Sequence, residues 1–163
     1  MENIATGQRP TFLTVLCVLS FFWGAYSIYQ SIESAFTDSP QRNYEEVQLE
    51  VDKGMADMDA ANLEMMGSFL SSTIEMAQLA VENAKAIGYA GIFQSIISIF
   101  GVWLMWNLRK TGFWLYVASG LMSMVTFIIF LGTGLMAILS LVGIGFVTVL
   151  FIVLYAIHLK YMN

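Results

Sequence analysis

The stretch TGFWLYVASGLMSMVTFIIFLGTGLMAILSLVGIGFVTVLFIVLYAIHL, residues 111–159, contains no Asp, Glu, Lys or Arg. A membrane-spanning helix needs ~20 mostly apolar residues, so these 49 residues hold two spans and a turn. The turn falls at Gly132-Thr133-Gly134, where glycine interrupts the apolar run. Two further charge-free stretches, Pro10 to Ile32 and Ala86 to Leu108, supply one span each. Spans are therefore expected at 11–31, 87–108, 113–131 and 134–158. In lipid every backbone amide must be paired within the protein, which leaves helices or closed barrels. Barrel strands alternate apolar and polar residues, and Phe127-Ile128-Ile129-Phe130-Leu131 does not. The expected fold class is an all-α membrane protein, a four-transmembrane-helix bundle.

Composition agrees. The chain has 163 residues, 58% hydrophobic and 12% charged, where soluble domains carry about a quarter charged residues. A cleaved signal peptide is a weaker reading of the first span, because its apolar character runs on to Tyr29. A lipoprotein signal ending at Cys17 is disfavoured by the large Leu16 before it. With one cysteine there is no intramolecular disulfide.

Basic residues near span ends stay on the cytoplasmic side. Arg9 precedes the first span, Arg109 and Lys110 lie between the second and third, and Lys160 follows the fourth. With four spans these positions share one side, so both termini are expected in the cytoplasm of a multi-pass protein of the bacterial inner (plasma) membrane. Segment 32–86 is then extracytoplasmic. It holds eleven of the twelve acidic residues against Arg42, Lys53 and Lys85, a net charge of −8. Trp103, Trp106, Trp114, Tyr155 and Tyr161 are expected at the cytoplasmic interface, and Tyr26, Tyr29 and Tyr89 at the outer one, since amphipathic rings favour that depth.

The outer segment reads as helical. Ser39-Pro40 is a start signal. From Ala56 an uncharged 4-3 spacing runs through Ala60, Leu63, Gly67, Leu70, Ile74, Ala77, Val81 and Ala84, then on through Gly88, Gly91, Ser95, Ser98, Val102 and Met105. A 3.5-residue repeat marks a helix pressed against a partner along one stripe. The expectation is one long amphipathic helix, the second span extended outward, ~74 Å at ~1.5 Å per residue. Gly54 and Gly67 are its candidate breaks. Inside the bilayer the stripe is made of small residues, which let helices approach closely. The first span carries a matching stripe, Cys17, Ser20, Gly24, Ser27, Ser31 and Ser34. The helix–helix packing residues are thus Cys17, Ser20, Gly24, Ser27, Gly88, Gly91, Ser95 and Ser98, facing each other or a second chain.

No catalytic constellation is visible. The lone His158 reads as an interfacial polar tip. No charge lies inside a span, which disfavours a proton-coupled pump. Gln94, deep in the second span, is expected to bond a neighbouring helix or line a pore. Asp57, Asp59 and Glu64 lack the glycine and glutamate of a calcium loop and read as a solvated face. Met55, Met58, Met65, Met66 and Met76 have no cysteine or histidine beside them, so packing is a better account than copper. No cofactor, metal or nucleic-acid partner is expected.

The opening Arg9-Pro10-Thr11-Phe12-Leu13-Thr14-Val15-Leu16-Cys17 and the ending Leu154-Tyr155-Ala156-Ile157-His158-Leu159-Lys160 resemble those of small uncharacterised four-helix inner-membrane proteins of Gram-negative bacteria. That resemblance touches the helical ends of the chain and implies no activity. The layout is also similar to claudin-like proteins, but their outer cysteine pair is missing here.

Two functions are expected. In the first, the chain is a non-catalytic membrane subunit or scaffold, and its acidic, Met-rich outer helix docks a protein partner or a second copy through Leu63, Leu70, Ile74 and Val81. Residues 40–52 folded back would be the alternative cover for that stripe. In the second, the chain is a small homo-oligomeric channel or transporter lined by Gln94 and serines.

Overall fold

A computed structural model describes residues 11–56 and 58–159, the side chains of 60–65 excepted. Six helices form in chain order: α1 Thr11–Phe36, α2 Ser39–Ala56, α3 Ala60–Glu82, α4 Ala84–Trp106, α5 Lys110–Leu131 and α6 Leu135–Ile157. No strand occurs among the described residues. Helices α1, α4, α5 and α6 are 26, 23, 22 and 23 residues long and apolar enough to cross a membrane. At ~1.5 Å per residue each exceeds a ~30 Å hydrocarbon core. Their outward faces carry large apolar side chains such as Phe22 and Phe146, 74% and 68% exposed. Such a surface suits lipid and would be costly in water.

The helices differ from the sequence-based spans in instructive ways. α1 runs five residues beyond 31, because its last turn still packs: Ala35 is buried against α4. The single helix expected from Ala56 to Met105 is interrupted twice: Ala56 ends α2, α3 begins at Ala60, and α3 and α4 meet at Asn83. Asn83 leaves the helical region, with φ −105° and ψ 12°. Its side-chain amide donates to the Leu79 carbonyl at 3.0 Å and to the Phe130 carbonyl at 3.4 Å. Asparagine competes for backbone partners in this way, which is why it disturbs helix interiors. Backbone bonds still cross the junction, from Asn83 N to Leu79 O and from Ile87 N to Asn83 O. Gly54 and Gly67 lie inside α2 and α3 and break neither.

Packing is layered. α1 lies along α4 and α4 lies along α5, while α6 touches α5 and reaches α3. α2 folds back on α3 as an antiparallel hairpin. At the end away from that hairpin sits the tightest core, built by Leu13, Leu16, Cys17, Val102, Met105, Phe113 and Tyr155. Tyr155 is therefore a core residue, fully buried, and not an interfacial anchor. The reason is local: its hydroxyl finds Ser20 Oγ at 2.8 Å, so the ring can be buried without stranding a polar group. Trp103 and Trp114 stay exposed, at 51% and 68%. Tyr161, like Arg9 and Lys160, lies outside the described residues.

The turn from α4 to α5 is closed by two bonds, Leu108 N to Met105 O at 2.9 Å and Arg109 N to Leu104 O at 3.0 Å. This pairing is a Schellman cap, with a left-handed residue just past the helix end. Leucine occupies it, Leu108 at φ 58°. Its side chain packs on the core, which offsets the backbone cost.

Candidate functional site

The α1–α4 seam is built from backbone proximity. A β-carbon added at Gly88 would lie 2.6 Å from Ala35 Cβ and 2.7 Å from the Ser31 carbonyl, and one at Gly91 would collide with Ser31 Oγ. One at Gly24 would lie 2.6 Å from Ile99 Cγ1. Ser95 donates to Ser27 Oγ at 2.8 Å, which ties the two helices at mid-length. Ser34 donates to the Ala84 carbonyl at 3.3 Å. Cys17 is fully buried. Ser20 behaves differently from its neighbours in the stripe, since it turns to Tyr155 of α6.

On its other side α4 meets α5. Gln94 Nε2 donates to Thr126 Oγ1 at 2.6 Å. Nearer the turn, a β-carbon at Gly101 would lie 2.9 Å from the Gly112 carbonyl, and one at Gly112 would lie 2.6 Å from Met105 N. Gly101 of α4 and Gly112 of α5 thus oppose each other across this hairpin. The 4-3 spacing passed over this pair.

Because α6 is held to α1 near Tyr155 and to α3 at its other end, a crevice of about 290 Å³ opens between α1, α4, α5 and α6. Ser27, Gln94, Ser95, Ser98, Ser119, Ser123, Thr126 and Thr148 line it, together with Gly24 and Gly91. Thus most of the packing residues of the sequence border one cavity, joined there by α5 hydroxyls the sequence reading did not single out. No Asp, Glu, Lys, Arg or His is among the lining residues. Such a surface can orient neutral hydrogen-bonding groups. It has no carboxylate or imidazole for general acid–base work.

The hairpin is anchored at the opposite end. Ser72, only 8% exposed, accepts from Met136 N at 3.0 Å. Met136 is in the first turn of α6, where amides have no partner inside their own helix. Gly134 and Gly132 lie beside Ser72 and Leu79. The face of α3 turned to α5 and α6 thus carries Ser72, Leu79 and Asn83. At 100° per residue, Leu70 and Ile74 project from the opposite face, toward α2. Leu70, Ile74 and Val81 are half-buried, and Leu63 lies among the side chains not described. The described part of the stripe is therefore partly covered within the chain. In α2 the covering face is Tyr44, Val47 and Val51, whereas Leu49 is 59% exposed.

His158 Nδ1 lies 2.8 Å from the Leu154 carbonyl, and its ring stacks on Phe12. Asp57 and the side chains of Glu64 and Met65 fall outside the described residues, so the acidic and methionine clusters are only partly placed. Comparison with protein-family models, curated proteins and solved structures finds no match to this chain.

Proposed function

We propose that this chain is a non-catalytic subunit of a larger assembly in the bacterial inner membrane, with both termini cytoplasmic and the α2–α3 hairpin as an extracytoplasmic docking arm. The observation that carries the reading is the hairpin's exterior. Leu49 stands 59% exposed beside exposed Glu45, Glu46, Glu50 and Asp52. These four acids, against one exposed base as near, Lys53, leave this apolar side chain on a mostly acidic surface, which suits a partner with a basic rim around an apolar pocket. The arm is also held in place by the Ser72 and Asn83 hydrogen bonds, which lowers the ordering cost of binding.

The docking residues of this proposal are shifted from Leu70 and Ile74 to the outer face of α2. Charge at Leu70 and Ile74 would open the hairpin itself and test nothing about a partner. Leu49→Lys combined with Glu46→Lys should leave helicity and insertion intact and reduce the native assembly mass, read in mild detergent, to that of the free chain. If the doubly substituted chain keeps the wild-type assembly mass, the docking arm is wrong.

A small channel or transporter is the second reading, favoured by the hydroxyl-lined crevice. Against an open path stands the Ser20–Tyr155 bond and the sealed core beneath it.

A further inference from the structure

The crevice between α1, α4, α5 and α6 runs from the mid-depth of the spans toward the hairpin end, where Ser31, Ile87 and Leu131 line it. Gln94 and Ser95 are central in α4, and Ile144 is near the middle of α6. Its lower end is shut by Tyr116, whose ring meets Tyr155 edge-on at 5.3 Å, and by the Ser20–Tyr155 hydrogen bond. Its lateral mouth is framed by Trp23 and Ile144, which are 71% and 42% exposed. Two residues so placed on membrane-spanning helices face acyl chains. The crevice therefore has a lateral opening toward lipid.

Its floor is polar in a particular way. Among the described residues, the Ser98 and Ser123 hydroxyls and Gln94 Oε1 have no hydrogen-bond partner. None of them is sealed inside protein, since no fully buried side-chain polar atom lacks a partner. They open into the cavity. A hydroxyl left unpaired in an apolar medium is costly, so an occupant that bonds these groups is favoured over an alkyl chain. With no charged side chain in the lining, a charged head group would enter without a counter-ion.

We propose that this crevice binds a neutral amphiphile from the bilayer. A hydroxyl or carbonyl head group would pair with Ser98, Ser123 and Gln94, and the tail would leave past Trp23 and Ile144.

The test uses the full chain in zwitterionic nanodiscs and a diacylglycerol carrying a photoreactive diazirine next to its glycerol head. After irradiation, labelled residues are mapped by mass spectrometry. Labelling should concentrate on crevice residues, disappear with excess unlabelled diacylglycerol, and be weak for a phosphatidic acid bearing the same diazirine. Ser98→Ala with Ser123→Ala should lower the competable labelling about thirtyfold, the change two ordinary hydrogen bonds imply. Label spread evenly over lipid-facing positions such as Ile129 and Leu139 on the wild-type chain would overturn the proposal, whatever the variant does. Equal labelling by the anionic probe would overturn the neutral class, and wild-type labelling by a folded double variant would overturn the head-group assignment.

Discussion

The glycines of this chain divide by what stands next to them. At Gly88 and Gly112 the neighbours are backbone atoms and β-carbons of a facing helix, which cannot rotate away. At Gly24 the neighbour is the Ile99 side chain, first its Cγ1 and then its Cδ1, which can shift. At Gly67, inside α3, nothing lies within 4 Å. The same substitution should therefore act in three ways. Gly88→Ala and Gly112→Ala should each destabilise by ~1–3 kcal/mol, the usual penalty for over-packing. Gly24→Ala should cost less, because Ile99 can change rotamer. Gly67→Ala should stabilise by up to ~1 kcal/mol, since it removes the helix penalty of glycine without a clash. Ile129→Leu, at a residue 67% exposed, is the neutral control. Thermal unfolding in detergent ranks all five, and a uniform response would mean that backbone proximity does not set stability here.

At the scale of elements, the decisive joint is between α3 and the ends of α5 and α6. Ser72 supplies the acceptor that the first turn of α6 needs from outside itself. Caps of this kind are worth ~1 kcal/mol. Ser72→Ala should cost about that much and release α3, seen as faster amide exchange at Met136 and along α3 with α4 unchanged. Unaltered exchange at Met136 would show that the bond is not the anchor. This joint also marks where the sequence stops being informative. Charge-free runs of span length announce the four membrane helices, because lipid tolerates little else. The 4-3 stripe in α3 announces that a partner exists, but periodicity carries no information about which one. α2 hides its own face for a related reason: Val47, Leu49 and Val51 look like one apolar group, yet on a helix alternate positions point apart. Leu49 is exposed, and Tyr44 completes the covered face. Gly24, Gly91 and Gln94 were legible as residues. The crevice they border was not, because it depends on the angle at which α6 leaves α1, and serine and threonine are too common in spans to signal it.

For the whole molecule, charge separation is the strongest constraint on orientation. Glu45, Glu46, Glu50, Asp52, Glu75 and Glu82 are exposed at the hairpin end, while Arg109 and Lys110 are exposed at the other. Short basic turns are retained in the cytoplasm, so the proposed orientation places the hairpin outside. Burial decides how to test it. Ser72 is a poor labelling site, being only 8% exposed and bonded to α6, so failure to label it would report packing and not sidedness. Ser68, exposed one turn before Ser72, and Thr111, exposed beside the basic turn, are suitable. Cys17 is fully buried and is replaced by serine to remove background. In intact cells a membrane-impermeant maleimide should label Ser68→Cys at once and Thr111→Cys only after permeabilisation. The reverse pattern would invert the molecule and turn the acidic hairpin toward the cytoplasm, so that an extracytoplasmic partner could no longer be its target. Labelling of both sites in intact cells would require a population of mixed orientation, which the imbalance between the acidic hairpin and the basic turn argues against.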